Sequence, residues 1–156
     1  MFDQIFQTNY YIHFITMGSV KVAVRVRPFN EREQGSKCCV RMNGPTTIMF
    51  DPNTGEERPF TFDYSFWSHD EFKTNEDGVF EKTTSKYADQ QDVYEALGKQ
   101  VLDNAWEGYN CCLFAYGQTG SGKSYSMIGY GANVGIVPIA CDEIFNRTAK
   151  LTTENS

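Results

Sequence analysis

The sequence lacks the residue patterns on which zinc sites, disulfide frameworks and membrane spans depend. It contains only two histidines, His13 and His69, and five cysteines without any C-x-x-C spacing. This excludes the usual zinc patterns, and the adjacent cysteine pairs disfavour a disulfide framework, so we expect a reducing compartment. No apolar run approaches the length needed to span a bilayer, and no basic leader precedes an apolar stretch.

Positive charge is also scarce, with 14 Lys and Arg against 20 Asp and Glu and a net charge of −6. This balance argues against a nucleic-acid partner and against an anionic membrane surface. The charge is unevenly spread, because residues 20–41 carry six bases and two acids whereas residues 42–110 carry five bases and fourteen acids. The basic stretch surrounds a strand-like segment, which could face an anionic ligand or be a solvated strand edge.

In other respects the composition is that of an ordinary globular protein. Of the 156 residues, 40% are apolar and 15% are aromatic. Residues 1–16 are aromatic-rich but interspersed with polar residues, and Met17 opens a cleaner segment. We therefore expect residues 1–18 to be a flexible or misassigned N-terminal extension, with the structured domain over residues 19–156.

The pattern of the remaining chain predicts an α/β fold. Residues 21–27 alternate as in a strand, which Pro28 stops. The best helix begins after Asp89, a good N-cap, and ends near Gly108. The apolar run 111–116 then predicts a strand buried on both faces, and residues 65–88 between these regions read as a loop with one helical turn.

The strongest chemical signal is a complete phosphate-binding loop pattern, G-x-x-x-x-G-K-S, between the strand 111–116 and a following helix. In such loops glycines let backbone N–H groups turn towards phosphate oxygens, and the helix N-terminus adds partial positive charge. Lys123 predicts a cation between the β- and γ-phosphates, and the Ser124 hydroxyl predicts a ligand for Mg²⁺.

The loop alone does not identify the base or the reaction. No N-K-x-D element for guanine is present. The candidates for base contacts are the basic strand end, with Arg25, Arg27 and Pro28, and Tyr125, which could stack on a purine or simply pack on the helix surface.

Residues 114–127, FAYGQTGSGKSYSM, closely resemble the nucleotide loop of kinesin motor domains. The segment VRVRPFN at 24–30 is similar to the family's adenine-contacting strand, FDYSFWSH at 62–69 resembles the kinesin-3 subfamily, and EGYN at 107–110 also fits. The resemblance covers about residues 19–148. It implies a P-loop NTPase fold, a mixed sheet flanked by helices, of which this chain would be the N-terminal portion.

The resemblance implies ATP and Mg²⁺ as cofactors, microtubules as the partner of the full domain, and a cytoplasmic, cytoskeletal location. Lys123 and Ser124 would be the catalytic residues, and Ser124 the Mg²⁺ ligand. The expected nucleotide-binding residues are Arg25, Arg27, Pro28, Gly117, Gln118, Thr119, Gly120, Ser121, Gly122, Lys123, Ser124 and Tyr125.

Two further family motifs are missing from the sequence. Switch I contains a Ser-Ser pair and switch II a D-x-x-G sequence, and neither occurs here. The leading interpretation is therefore the ATP-binding portion of a microtubule motor, and the alternative is a nucleotide-binding or regulatory module that does not hydrolyse ATP. We also expect the isolated chain to be marginally stable or inactive, because in the kinesin sheet the strand before the loop lies between strands of the later half. Direction of movement, cargo and oligomeric state do not follow from these residues.

Overall fold

The computed structural model describes the backbone of residues 9–16 and 19–154 and the side chains of residues 20–153. A mixed four-stranded sheet forms its centre. The strands of that sheet are β1 (Asn9–Thr16), β2 (Ser19–Val26), β6 (Tyr64–Trp67) and β9 (Cys112–Tyr116), in the spatial order β6-β2-β1-β9. Strands β2 and β6 are parallel, whereas β1 is antiparallel to both β2 and β9.

The sequence predicts a flexible or misassigned extension over residues 1–18. Asn9–Thr16 from this segment form β1, whose backbone pairs Tyr11 with Val24 and His13 with Phe114. Residues 1–8 and 17–18 lie outside the described residues, and their assignment stays a prediction.

Strand β2 is the best-buried strand among the residues described. Its alternation predicted two different faces, yet four consecutive residues, 23–26, are all buried. Strand β2 has a neighbouring strand on each edge, Ala23 packs in the cluster of Val93 and Leu97, and Val26 packs with Val40 and Trp67. This burial carries Arg25 into the interior and brings the end of the strand to the candidate site.

The predicted helix after Asp89 is present. It comprises α1 (Gln90–Val93), a π-helical segment (Tyr94–Gly98) and α2 (Lys99–Trp106). Asp89 forms a capping box with Asp92, in which each side chain accepts a hydrogen bond from the other residue's backbone N–H. Gly108 follows the last turn at φ +91°, the left-handed conformation expected for a glycine that ends a helix.

The main core lies between this helix and the central sheet. Val93 and Leu97 are buried against Ala23 and Phe66, and Ile136 of the C-terminal helix α4 (Ile136–Glu154) packs on the same cluster. This apolar contact fixes α1 and α4 relative to β2, whose C-terminal end reaches the site.

The remaining strands lie outside the central sheet. They are β3 (Val40–Asn43), β4 (Thr46–Phe50) and β5 (Glu57–Thr61), which form an antiparallel sheet, and the hairpin β7 (Phe72–Thr74) with β8 (Phe80–Lys82). A second apolar cluster of Val26, Val40 and Trp67 joins the three-stranded sheet to the end of β2.

Two sequence-based expectations were wrong in detail. The strand 111–116 is not buried on both faces, since Cys112 and Phe114 are exposed and β9 lies at the edge of the central sheet. The segment 65–88, expected as a loop with a helical turn, contains part of β6 and the hairpin β7–β8. Within the described ranges, no helix has the combination of length and apolarity needed to cross a membrane.

Candidate functional site

The phosphate loop lies where the sequence pattern predicts it, between β9 and the short helix α3 (Lys123–Met127). Gly120 and Gly122 adopt φ values of +81° and +89°, which side chains with a Cβ rarely adopt. Gly122 is also the residue that precedes the first turn of α3. The glycines are therefore required by the path of the backbone.

The Lys123 ammonium folds back over this loop. Its Nζ donates hydrogen bonds to the carbonyl oxygens of Gly117 and Gln118, both at 2.8 Å. Ser121, a residue of the loop, is fully buried, and among the described residues its hydroxyl has no hydrogen-bond partner. The loop therefore carries the Lys123 ammonium over its carbonyl groups and the buried Ser121 hydroxyl in its interior.

A cavity of about 440 Å³ opens beside the loop, within the size range of small-molecule sites. It brings together most of the residues predicted from sequence. Those lining it are Arg25, Arg27, Pro28, Thr119, Gly120, Gly122, Lys123, Ser124 and Tyr125. The other predicted loop residues, Gly117, Gln118 and Ser121, belong to the loop but do not line the cavity.

Arg25 lies in the wall of the cavity and is 1% exposed. Its guanidinium donates to Ser68 Oγ at 2.9 Å, to Gln90 Oε1 at 2.6 Å and to Ser126 Oγ at 3.0 Å. The same group lies 5.2 Å from the centre of the Tyr125 ring, a cation–π contact. These contacts fix the guanidinium in place and connect β2 with α1 and α3.

Arg27, two residues further along the chain, contacts the phosphate loop itself. Its Nε donates to the Gly120 carbonyl oxygen at 2.9 Å, and its two terminal nitrogens form a bidentate pair with Glu33 at 2.7 and 2.8 Å. These hydrogen bonds hold the pKa of Glu33 below its usual value, so the carboxylate is ionised at neutral pH.

Aromatic rings also line the cavity. Tyr125 lies 6.4 Å from Phe80 and 6.1 Å from Tyr130, measured between ring centres. Burial raises the pKa of Tyr87 to about 12 and also raises that of Tyr125, so both phenols stay neutral at physiological pH. The planar ring of a nucleobase could stack on these side chains.

Sequence reasoning missed six of the cavity's residues: Phe29, Asn30, Ser68, Phe80, Tyr87 and Tyr130. Phe29 and Asn30 could have been found, because they directly follow the predicted Pro28. Phe80 and Tyr87 come from the segment expected to be a loop, and no local pattern places them near residue 125.

The helix after the loop is interrupted. Between α3 and α4 the chain forms a small hairpin of β10 (Gly129–Tyr130) and β11 (Asn133–Val134). Asn133 secures the hairpin β7–β8, because its side chain accepts from the Phe80 N–H and donates to the Gly78 carbonyl, each at 2.8 Å. The hairpin β10–β11 therefore helps to position Phe80, whose ring lines the cavity.

The kinesin motor-domain family model matches residues 25–156. The chain belongs to this family. Rat KIF28 is 54% identical over 137 residues, which are 85% of this chain and 13% of that protein. Rat KIF1A is 47% identical over 143 residues, which are 88% of this chain and 8% of that protein. The chain thus spans a small part of these kinesin relatives.

Solved kinesin structures share the fold. A KIF14 segment with ADP in complex with a microtubule gives a TM-score of 0.67 at 40% identity, covering 82% of this chain and 33% of that one. A KIF14 dimer with AMP-PNP in complex with a microtubule gives 0.65 at 41% identity, covering 82% and 32%. The P-loop motor fold expected from the sequence is confirmed, as a partial domain.

The residues at the loop also fit a magnesium ion held together with phosphates. Ser124 lines the cavity directly after Lys123, and its hydroxyl is the kind of oxygen ligand that Mg²⁺ prefers. The described residues contain no cluster of three or more His, Cys, Asp or Glu that could hold a metal by themselves. A Mg²⁺ site here would depend on Ser124 together with oxygens of the nucleotide.

Proposed function

We propose that this chain is the ATP-binding portion of a microtubule-based motor, in which the full domain couples ATP hydrolysis to movement along microtubules. One observation carries the proposal. The Lys123 ammonium lies over the loop 117–124 beside a cavity, which is also lined by aromatic rings around Tyr125. An anion-binding end and a stacking end in one cavity suit a nucleoside polyphosphate.

In this proposal each part of the cavity binds one part of the nucleotide. Lys123 exchanges its hydrogen bonds to the loop carbonyls for phosphate oxygens, which are the stronger, charged acceptors. Ser124 holds Mg²⁺, which when bound neutralises charge on the phosphates. Pro28 and Tyr125 border the base, and the buried Arg25 keeps the Tyr125 ring in position.

The relatives supply the wider context. The KIF14 structures contain ADP or AMP-PNP and a microtubule, which supports a nucleotide and a microtubule as ligands of the full motor domain here. We propose a cytoplasmic location on the microtubule cytoskeleton for the same reason. Within this chain only residues 20–41 are basic, so most of the contact with an acidic filament would be made by other residues.

A second candidate is a nucleotide-binding or regulatory module without ATPase activity. It would be favoured only if the whole protein, and not just these 156 residues, contains neither the Ser-Ser pair of switch I nor the D-x-x-G motif of switch II. This candidate shares the binding site with the first and differs from it only in turnover.

Calorimetric titration of the 156-residue chain with Mg-ADP tests the shared site. Lys123→Ala should weaken binding by tenfold or more, because a charge-assisted contact with phosphate contributes about 1.5–3 kcal/mol. Lys99→Ala is the matched control, since Lys99 only pairs with Asp103 on the surface of α2. Ser124→Ala should remove the dependence of affinity on Mg²⁺. Wild-type chain that fails to bind Mg-ADP would contradict the proposal.

Phosphate release with and without microtubules then separates the two candidates. Binding without turnover by this chain and by a chain extended through the switch segments would favour the non-hydrolysing module. Turnover by the extended chain alone would support the motor.

A further inference from the structure

Arg27 joins the end of β2 and the turn that follows it to the phosphate loop, 93 residues further along the chain. Beside its bond to Gly120 in the phosphate loop and its bidentate pair with Glu33, its Nη1 donates to the Pro28 carbonyl at 2.6 Å. The pair is well shielded, since the side chains of Arg27 and Glu33 are only 13% and 26% exposed. The guanidinium therefore spans from the end of β2 to the loop.

Glu33 is itself held in place by the turn that contains it. Residues Glu31–Glu33 form one turn of 3-10 helix, in which the Asn30 side chain accepts from the Glu33 N–H at 3.1 Å. In return the Glu33 carboxylate accepts from the Asn30 N–H at 2.9 Å. This capping box fixes the carboxylate before it meets Arg27, so little side-chain entropy is lost in the pairing.

The position of Gly120 explains why a fixed guanidinium matters. Gly120 has a left-handed backbone, and the turn around it is closed by a bond from the Ser121 N–H to the Gln118 carbonyl at 3.1 Å. Glycine leaves such a turn conformationally free, and a charged donor on its carbonyl restricts that freedom.

We propose that Glu33 is a positioning residue that, through the Arg27 guanidinium, holds the phosphate loop in its phosphate-binding conformation. This inference rests on the proposed nucleotide site. It assigns Arg27 to the phosphate end of the cavity, in contrast to the adenine contact that the family resemblance implies. The base end of the cavity is then left to Pro28, Tyr125 and the other aromatic rings.

The test compares Glu33→Gln with the matched control Glu57→Gln. Glu57 also pairs with an arginine, Arg41, but on the exposed three-stranded sheet. Glu33→Gln should weaken Mg-ADP and Mg-GDP binding equally, by about fivefold to tenfold, because the loop loses its fixed support. The ADP-to-GDP ratio stays unchanged, and Glu57→Gln binds as wild type. A changed ratio would overturn the proposal, because Arg27 would then be acting on the base.

A nucleotide-free measurement makes the inference independent of binding. Hydrogen exchange of the Ser121 amide should be several-fold faster in Glu33→Gln than in wild type, with global stability read from circular dichroism. Arg27→Lys keeps the charge but loses the planar fork, so it should speed exchange to a similar extent.

The two failures are distinguishable. Wild-type chain that binds no Mg-ADP contradicts the proposed function, whereas unchanged Ser121 exchange in Glu33→Gln overturns the role of Glu33, whatever Arg27→Lys does. If Glu33→Gln does not fold, Glu33→Asp, which keeps the charge but shortens the reach to Arg27, decides by the same exchange measurement.

Discussion

At the scale of single residues, Gln90 makes the most consequential contacts that no sequence pattern suggested. Its side chain is buried, and its Oε1 accepts from Arg25. Its Nε2 donates to the backbone carbonyls of Tyr125 at 2.7 Å and Asn133 at 3.2 Å. One amide thereby connects the first turn of α1 to β2, to α3 and to the hairpin β10–β11.

Replacing this amide should be costly even when side-chain volume is kept. Gln90→Met leaves a buried guanidinium and two buried carbonyls without one partner each, and we expect a loss of about 3 kcal/mol in the free energy of unfolding. Urea denaturation followed by circular dichroism measures it. Gln91→Met is the neighbouring control, because Gln91 is exposed and bonds only to Glu95 on the helix surface. Equal midpoints for the two variants would contradict the prediction.

Which site residues could be foreseen depends on the separation of their partners along the chain. Lys123 and Ser124 act within a local loop motif, so the sequence predicts their place. The contacts of Arg25 reach residues 43, 65 and 101 positions away. The spacing of apolar residues gives no information on contacts between such distant positions. The family resemblance named Arg25 but not its partners Ser68 and Gln90.

At the scale of elements, local signals were reliable where they describe backbone chemistry. The cap at Asp89 and the glycine at 108 both occur as predicted. The hairpin β7–β8 was missed because its strands have three residues each and are held by ring packing, with Phe72 4.9 Å from Phe80. The apolar run before the loop predicted burial, but burial also requires neighbouring strands, and β9 lies at an edge.

The π-helical segment packs closely against α4 at Gly98. A Cβ added to Gly98 would lie 2.5 Å from Tyr94 Cδ2 and 2.9 Å from Ile136 Cγ2. We expect Gly98→Ala to lower the free energy of unfolding by about 2 kcal/mol, because the overlap exceeds the gain in helix propensity. Thermal unfolding monitored by circular dichroism measures the change.

Gly108→Ala is the control for that substitution. Its φ is +91°, unlike the helical φ of −67° at Gly98, and no atom lies within 4 Å of the added Cβ, so only backbone strain of about 1 kcal/mol is expected. If Gly98→Ala were stabilising, α4 would have to pack less closely on this segment than the structure shows.

At the scale of the whole molecule, large apolar side chains are exposed on β9 and on α4. Phe114 and Tyr116 of β9 are 52% and 70% exposed, and Phe145 of α4 is 74% exposed. Within the described residues β9 pairs with β1 alone, so its other edge offers unpaired backbone groups. An open strand edge with aromatic side chains favours pairing between chains, and a net charge of −6 opposes it only weakly at physiological salt.

We therefore expect the 156-residue chain to self-associate in a concentration-dependent manner, and Phe114→Lys to reduce this. A lysine on an edge strand places a charge where a second chain would pair, which opposes edge-to-edge association. Sedimentation velocity at rising protein concentration measures it. Phe60→Lys is the control, because Phe60 is also exposed but lies on β5 of the separate three-stranded sheet. If both variants associate as wild type does, the edge of β9 is not the contact, and the exposed face of α4 around Phe145 becomes the surface to test.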